Sequence, residues 1–159
     1  NRVDAADRQR LLRIVEVGLE TGTALSVFQA DTVPPLEPAA WRGIVIEPDR
    51  EALYRRIDQR FEHMLEAGAL DEVAAFMQRD LDPDLPASKA LGVPPLIAHL
   101  RGEMSLDEAR DNAKRDSRRY AKRQGTWFRN QAASWSRIGT LDSEAAISAL
   151  ADILDQPPG

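Results

Sequence analysis

The sequence predicts an α/β fold that is mostly helical. Apolar residues recur at helical spacing along most of the 159 residues, and hydrophobic types make up 43% of the chain, which is enough to build a core. The apolar run Ile44-Val45-Ile46 is typical of a strand buried on both faces of a sheet. A weaker strand pattern covers 135–141. Because two strands cannot form a stable sheet alone, we expect both to pair with strands from outside this chain.

The chain is predicted to begin with a helix that is capped by Asp7 and stops at Gly22, since these residues flank an apolar stripe at helical spacing. A proline-rich loop follows over 26–40, with one possible helical turn at Val27. The first strand is expected over 41–47.

Helices are predicted for most of the remaining chain. They cover about 49–68, 70–79, 88–102, 105–130 and 142–154. Ser88 is the expected cap of the third of these, which tolerates Pro94 and Pro95 only if they lie in its first turn. Ser105 and Glu108 have the spacing of a capping box, so we expect the longest helix to begin there.

Basic residues are concentrated in the longest predicted helix. The whole chain has a net charge of −5, whereas the segment 110–129 carries +6, which leaves −11 for the rest. A concentrated positive charge on an acidic protein indicates an anionic partner such as RNA. The basic residues of this segment are Arg110, Lys114, Arg115, Arg118, Arg119, Lys122, Arg123 and Arg129.

The same helix is predicted to have an apolar seam. At about 100° per residue, four residues share one face and are expected to pack in the core. These residues are Ala109, Ala113, Tyr120 and Trp127. The basic residues then face outward, where they either contact RNA phosphates or form a solvated charged surface. Few acids interleave with them at helical spacing, and composition alone leaves both alternatives open.

Two arginine pairs are further candidates for anion binding. Arg56 and Arg60 lie one helical turn apart, and arginine binds diphosphate through planar, bidentate contacts. Arg10 and Arg13 lie near the start of the first helix, where backbone amides also attract an anion. Taken alone, pairing with surface acids such as Asp58 is the favoured explanation for Arg56 and Arg60. For Arg10 and Arg13 the favoured explanation is that they are ordinary surface arginines.

Several kinds of chemistry are excluded by what the sequence lacks. There is no cysteine, which excludes disulfides and thiolate catalysis, and we expect no metal site in this chain. No G-x-x-x-x-G-K-[ST] phosphate loop occurs. No apolar run approaches the roughly 20 residues of a membrane span, and no signal pattern is visible, so we expect a cytoplasmic protein. The chain opens at Asn1 rather than Met, and we expect it to be a piece of a longer protein.

Several sequence blocks occur in a specific order. The most specific is 117–129, which contains the pattern K-R-Q-x-T-W-x-R. The other blocks are 7–13, 51–61, 64–65, 68, 85–86, 91–92 and 108–109. Together they resemble the C-terminal half of the tRNA dimethylallyltransferase (tRNA isopentenyltransferase) family.

The resemblance implies a P-loop nucleotide-kinase-like core with a helical insertion. Residues 1–40 would form the distal part of the tRNA-binding insertion, and 41–159 would form the C-terminal part of the core, whose phosphate loop lies in the absent half. It also implies an enzyme, a prenyltransferase that moves a dimethylallyl group from dimethylallyl diphosphate to the exocyclic amine of an adenine adjacent to the anticodon. Magnesium would be bound mainly by the absent half, so this chain is expected to be inactive alone.

The resemblance also implies roles for individual residues. Arg60 matches the family's diphosphate-contacting arginine, which would neutralise the departing diphosphate in catalysis, and Arg56 is expected to help bind that substrate. The residues expected to contact tRNA are Gln9, Arg10, Arg13, Lys89, Gly92, Arg118, Lys122, Arg123, Gln124, Thr126 and Arg129. The full-length protein is expected to be a monomer that binds the anticodon stem-loop.

A protein of a different class is the alternative: a helical RNA-binding module without catalytic activity. It explains the basic helix. It explains neither the strand at 41–47 nor the pairing of Arg56 with Arg60 on one helix face.

Overall fold

The computed structural model describes residues 3–4, 6–37 and 40–156. The chain divides into two compact units, Asn1–Trp41 and Arg42–Gly159. The helices are α1 (Arg8–Thr21), α2 (Leu25–Ala30), α3 (Arg50–Glu66), α4 (Ala69–Met77), α5 (Val93–Leu100), α6 (Leu106–Gln131) and α7 (Ser143–Asp155). The strands are β1 (Ile44–Ile46) and β2 (Ser136–Ile138). The prediction of a mostly helical chain with a small strand content is confirmed for the described residues.

The first unit contains α1 and α2. Asp7 caps α1 because its Oδ1 accepts a hydrogen bond from the backbone N–H of Arg10 at 3.1 Å. Gly22 ends the helix with a φ of 65°, a left-handed conformation that glycine adopts without steric cost. The turn expected in the proline-rich loop is the short helix α2. Both predicted ends of the first helix are therefore confirmed.

The core of the second unit lies where α3, α4 and α5 pack together with the first half of α6. Ala109 and Ala113 of α6 are fully buried, and their small side chains allow the neighbouring helices to approach closely. The buried core residues are Phe61, Ala69, Val73, Leu96, Ala109 and Ala113. This cluster fixes the position of α6 relative to α3.

The apolar seam of α6 is buried over only half of its predicted length. Ala109 and Ala113 lie in the core as expected, but Tyr120 is 45% exposed and Trp127 is 53% exposed. The prediction that these two aromatic residues pack in the core is wrong, because the buried core ends at Ala113. The second half of α6 therefore carries exposed aromatic side chains as well as basic ones.

The two strands pair with each other, in parallel. Ile44 lies opposite Ser136 and Ile46 lies opposite Ile138. The strands therefore supply each other with a partner, which was not predicted, because the helices between them form the long crossover that parallel pairing requires. Pairing with strands from outside this chain stays a prediction. The first strand is also shorter than predicted. Arg42 precedes the strand, and its guanidinium donates hydrogen bonds to backbone carbonyls at the end of α7.

The helix predicted over 88–102 begins later than expected. Gly92 has a φ of 90°, which interrupts any helix before it, and α5 starts at the next residue with Pro94 and Pro95 in its first turn. Ser88 does not cap this helix, because its hydroxyl donates to the backbone carbonyl of Asp82 at 2.9 Å. It lies instead in a short 3₁₀ helix, Pro86–Lys89.

The predicted capping box at the start of α6 is confirmed. Ser105 Oγ accepts from the N–H of Glu108 at 3.2 Å, and the Glu108 carboxylate accepts from the N–H of Ser105 at 2.8 Å. The hydrogen bond from the Ser105 N–H, followed by one that the Ser105 hydroxyl donates to the same carboxylate at 2.9 Å, lowers the pKa of Glu108 below its usual value. None of the helices in the described ranges is both long enough and apolar enough to cross a membrane.

Candidate functional site

A groove of about 560 Å³ lies in the second unit between the end of β1, the first half of α3 and the second half of α6. Its apolar lining includes Val45, Leu53, Ile57, Leu91 and Phe128. Its charged lining consists of Arg50, Arg60, Lys122 and Arg129, together with Glu47. In α/β proteins, ligands bind beyond the carboxyl ends of parallel strands, and the groove lies at the carboxyl end of β1. This combination suits a ligand with an anionic group and an apolar part.

Arg60 is the α3 cation that was predicted to act in catalysis, and it lines the groove. Its side chain is exposed, and it forms no hydrogen bond or ion pair with any residue in the described part of the chain. The end of α3 nearest the groove is fixed by Asp49, whose carboxylate accepts from the N–H of Ala52 at 2.9 Å. The guanidinium of Arg60 is therefore available to an anion that enters the groove.

Arg56 is placed differently from Arg60. It does not line the groove, and its Nη1 donates a hydrogen bond to the backbone carbonyl oxygen of Leu141 at 3.0 Å. This contact ties α3 to the connection between β2 and α7. The structure therefore does not bring Arg56 and Arg60, the pair predicted to bind diphosphate, into one groove.

Three of the basic residues of α6 pair with acids of α3. Arg118 Nη1 lies 2.6 Å and 2.7 Å from the two carboxylate oxygens of Asp58. Lys114 donates to Glu62, and Arg110 Nε lies 3.2 Å from the same carboxylate. We call these five residues the acid–base ladder. The contacts advance along α3 from Asp58 to Glu62 while they go back along α6 from Arg118 to Lys114, so the two helices run in opposite directions. Arg110, four residues further back on α6, shares Glu62.

The ladder has no acid at its next position. Four residues before Asp58 on α3 is Tyr54, and four residues after Arg118 on α6 is Lys122. Lys122 lines the groove, and its ammonium group has no hydrogen-bond or ion-pair partner among residues 3–4, 6–37 and 40–156. The guanidinium of Arg123 lies 5.8 Å from the ring centre of Tyr120. The basic residues of α6 thus differ in their surroundings: Arg110, Lys114 and Arg118 pair with acids of α3, whereas Lys122 lines the groove and has no such partner in the described part of the chain.

The ladder makes a testable contribution to stability. The hydrogen bond from Lys114, more than the charge of Arg110, holds the pKa of Glu62 below its usual value of 4.5, so Glu62 stabilises the fold above that pH and loses this effect as the pH falls through its lowered pKa. We expect Glu62→Gln to lower the melting temperature at neutral pH and to flatten its decline in acid. Thermal unfolding of the chain between about pH 3 and pH 7 measures this. Glu66→Gln on the same helix is the control. If the melting temperature declined identically in acid for both variants, the prediction would be contradicted.

Three further predicted tRNA residues lie near the end of α6. Gln124 and Arg129 line the groove. Thr126 does not, but its hydroxyl donates to the carbonyl of Lys122 at 3.0 Å and accepts from Arg129 Nη2 at 3.3 Å. Thr126 therefore supports Arg129 rather than facing the groove itself.

Lys89 and Gly92, which were predicted to contact tRNA, both make contacts within the fold. Lys89 Nζ lies 2.8 Å from Asp84, and this hydrogen bond lowers the pKa of that carboxyl. Gly92 is buried, and a Cβ added to it would lie 3.0 Å from Cε2 of Phe61. Neither residue lines the groove. The positive φ of Gly92 and its contact with Phe61 are sufficient reasons for a glycine at this position.

Replacing Gly92 with alanine should destabilise the fold by about 1–3 kcal/mol, because the side chain would be strained at a φ of 90° and would crowd Phe61. Urea unfolding of the chain measures the change. Gly18→Ala is the matched control, because Gly18 lies inside α1 with no atom within 4 Å of an added Cβ, and alanine there should stabilise the helix slightly. Equal effects of the two substitutions would contradict the explanation given for Gly92.

The remaining predicted tRNA residues lie on α1, in the first unit. Arg10 Nε is 3.3 Å from Asp7, and Arg13 Nη1 is 3.5 Å from Glu16. Both pairs are solvent-exposed, so they cost little to exchange for phosphate contacts. Gln9 is exposed in the first turn of the same helix.

Two charged residues of the groove were not singled out from the sequence. Arg50 and Glu47 line it beside Arg60. The available signal was their position, since both follow β1 within a few residues. In the described part of the chain, no group of three or more His, Cys, Asp and Glu side chains is arranged to hold a metal ion.

The fold and the groove define a class: an α/β domain with a groove, lined by apolar and mostly basic residues, at the end of a parallel strand pair. A family model described as IPP transferase matches residues 1–131. This match covers most of the chain, and the chain belongs to that family.

Relatives named tRNA dimethylallyltransferase show the same affiliation. The protein from Maricaulis maris is 99% identical over 159 residues, which are 100% of this chain and 52% of that protein. The protein from Caulobacter sp. is 54% identical over 140 residues, which are 88% of this chain and 45% of that protein. The chain therefore spans about half the length of the curated relatives it matches.

Solved structures agree with this assignment. The full-length tRNA isopentenylpyrophosphate transferase from Bacillus halodurans matches with a TM-score of 0.66 and 29% identity, over 96% of this chain and 46% of that one. The tRNA delta(2)-isopentenylpyrophosphate transferase from Staphylococcus epidermidis matches with a TM-score of 0.64 and 27% identity, over 97% and 50%.

Proposed function

We propose that the full-length protein containing this chain transfers a dimethylallyl group from dimethylallyl diphosphate to the exocyclic amine of an adenine adjacent to the anticodon of a tRNA. The observation that carries the proposal is the groove, where an apolar floor is combined with two cations, Arg60 and Lys122, that have no partner among the described residues. The names of the relatives support the same reaction.

The role of Arg60 follows from the charge that develops during transfer. As the bond between the dimethylallyl carbon and the diphosphate oxygen breaks, negative charge increases on the departing diphosphate. A guanidinium already in place stabilises that charge without reorganising solvent. The adenine amine forms the new carbon–nitrogen bond and loses a proton. We assign its acceptor to the rest of the full-length protein, because both carboxylate oxygens of Glu47 lie against arginines.

The second half of α6 is proposed to bind RNA. Lys122 and Arg123 have no acidic partner in the described part of the chain, and Gln124 and Arg129 follow them along the same helix. Arg10 and Arg13 on α1 would add phosphate contacts after exchanging their exposed acidic partners. Arg118 is proposed to act indirectly, by holding α6 against α3 through Asp58.

Further features of the full-length protein are also proposals. The boundary between a tRNA-binding insertion over 1–40 and a P-loop-type core from 41 onward is supported by the division into two units at Trp41. Dimethylallyl diphosphate would be the co-substrate. Since the described residues offer no metal-binding cluster, we derive no step through magnesium and assign that ion to the rest of the protein. A cytoplasmic monomer is the proposed working state.

The test uses a completed protein, in which this chain is joined to the remainder of the Maricaulis maris relative. It is incubated with an anticodon stem-loop RNA and labelled dimethylallyl diphosphate. We expect label in the RNA with the completed protein and none with the 159-residue chain alone. RNA binding without transfer by the completed protein would favour the alternative, a non-catalytic RNA-binding module.

A further inference from the structure

Glu47 is the acidic side chain in a groove that is otherwise lined by cations. It follows β1 directly, and the other charged residues on the groove wall in the described part of the chain are Arg50, Arg60, Lys122 and Arg129. A carboxylate in this position repels an anionic ligand at close range. Its presence therefore requires an explanation other than ligand binding.

The contacts of Glu47 supply that explanation. Its Oε2 accepts a hydrogen bond from Arg137 Nη1 at 3.1 Å, and its Oε1 lies 3.5 Å from Arg129 Nη1. One carboxylate thus bridges a guanidinium from β2 and a guanidinium from α6. The Glu47 side chain is only 34% exposed, and each of its oxygens has a cationic partner.

Arg137 anchors this bridge to the backbone. Its Nη2 donates to the carbonyl of Ala132 at 2.8 Å and to the carbonyl of Phe128 at 3.1 Å, both at the C-terminal end of α6. A cation at the negative end of a helix is favourable, and this one also satisfies terminal carbonyls. Arg137 is therefore fixed by the backbone of α6, and Glu47 is fixed by Arg137.

We propose that Glu47, held by Arg137, is a positioning residue that fixes Arg129 on the groove wall for binding of an RNA phosphate. Arg129 is 60% exposed, and a long exposed side chain otherwise samples many rotamers. Glu47 restricts it from one side and Thr126 from the other, at 3.3 Å. The inference rests on the proposed function, because it assumes that the groove binds the RNA substrate.

The direction in which Glu47→Gln changes the RNA affinity distinguishes a positioning role from a purely electrostatic one. If Glu47 acted on the ligand only through its charge, Glu47→Gln would remove a repulsion and RNA would bind more tightly. If Glu47 positions Arg129, the same substitution releases Arg129 and RNA binds more weakly. The two roles therefore predict opposite changes.

The experiment is a double-mutant cycle in the completed protein, with Glu47→Gln, Arg129→Ala and the combined variant. We expect Glu47→Gln to raise the KM for stem-loop RNA about fivefold with kcat nearly unchanged, and to have no further effect once Arg129 is alanine. A lower or unchanged KM, or the same change in both backgrounds, would overturn the proposal.

Two controls keep the result interpretable. The melting temperature of each variant reports loss of fold, and if Glu47→Gln is unstable, Glu47→Asp replaces it in the same cycle, because it keeps the charge and shortens the reach to Arg129. Direct RNA binding is measured alongside turnover. Absence of product from the unsubstituted completed protein would refute the proposed function, whereas an intact enzyme that is insensitive to Glu47→Gln would refute only this inference.

Discussion

Replacing Arg60 with alanine is expected to reduce the turnover of the completed protein about 10²–10³-fold while changing its RNA affinity less than about twofold. The guanidinium lines the groove without a hydrogen-bond or ion-pair partner in the described ranges. Its removal therefore leaves the charge of the departing diphosphate without this stabilisation and breaks no hydrogen bond or ion pair within that part of the fold. Steady-state rates of label transfer measure the change in turnover, and a separate binding experiment measures the change in RNA affinity.

Arg55→Ala is the matched control for this prediction. Arg55 lies on the same helix, is solvent-exposed and is 4.0 Å from Glu51, but it does not line the groove. Its loss should leave turnover close to that of the unsubstituted protein. If Arg55→Ala and Arg60→Ala reduced turnover equally, or if Arg60→Ala affected only RNA affinity, Arg60 would have no role at the diphosphate.

The double substitution of Lys122 and Arg123 by alanine should weaken RNA binding at least about tenfold and flatten its salt dependence. Each phosphate contact that is lost reduces the slope of log affinity against log salt by about 0.7–0.9. Both residues lie on the part of α6 where the acid–base ladder has ended, so no acid in the described part of the chain neutralises them. RNA binding measured across a salt series tests this.

Arg118→Ala is the informative comparison for that prediction. Arg118 belongs to the same basic segment, but it is engaged by both oxygens of Asp58. Its removal should lower the melting temperature and leave the salt slope nearly unchanged, because its charge is already balanced within the fold. A slope that falls as much for Arg118→Ala as for the double variant would mean that the ladder does not divide the basic surface.

Local signals in the sequence were sufficient to predict most of the helices. The caps at Asp7, Asp49 and Ser105 act through side chains that bond to amides a few residues away, so a short stretch of sequence contains all the information they need. Ser88 is the exception. It has the residue type of a cap, but the backbone of Gly92 determines where the helix begins.

Contacts between distant parts of the chain could not be predicted in the same way. Asp58 and Arg118 are 60 residues apart, and Glu62 and Lys114 are 52 residues apart. Helical spacing showed that few acids interleave with the basic residues of α6, but the neutralising acids come from α3. The sequence therefore overestimated how much of the positive charge is free for a ligand, while it identified Arg60 and Lys122 as candidate binding residues.

The continuity of α6 links the groove to the stability of the whole second unit. Ala109 and Ala113 lie in the core, and the groove residues lie on the same unbroken helix, Leu106–Gln131. An occupied groove would thus hold in place a helix that the core depends on. By mass action, a ligand that binds only the native form at 100 times its Kd adds about 2.7 kcal/mol to the free energy of unfolding. Resistance to heat or to proteases would then report occupancy of the groove even for ligands that are not converted.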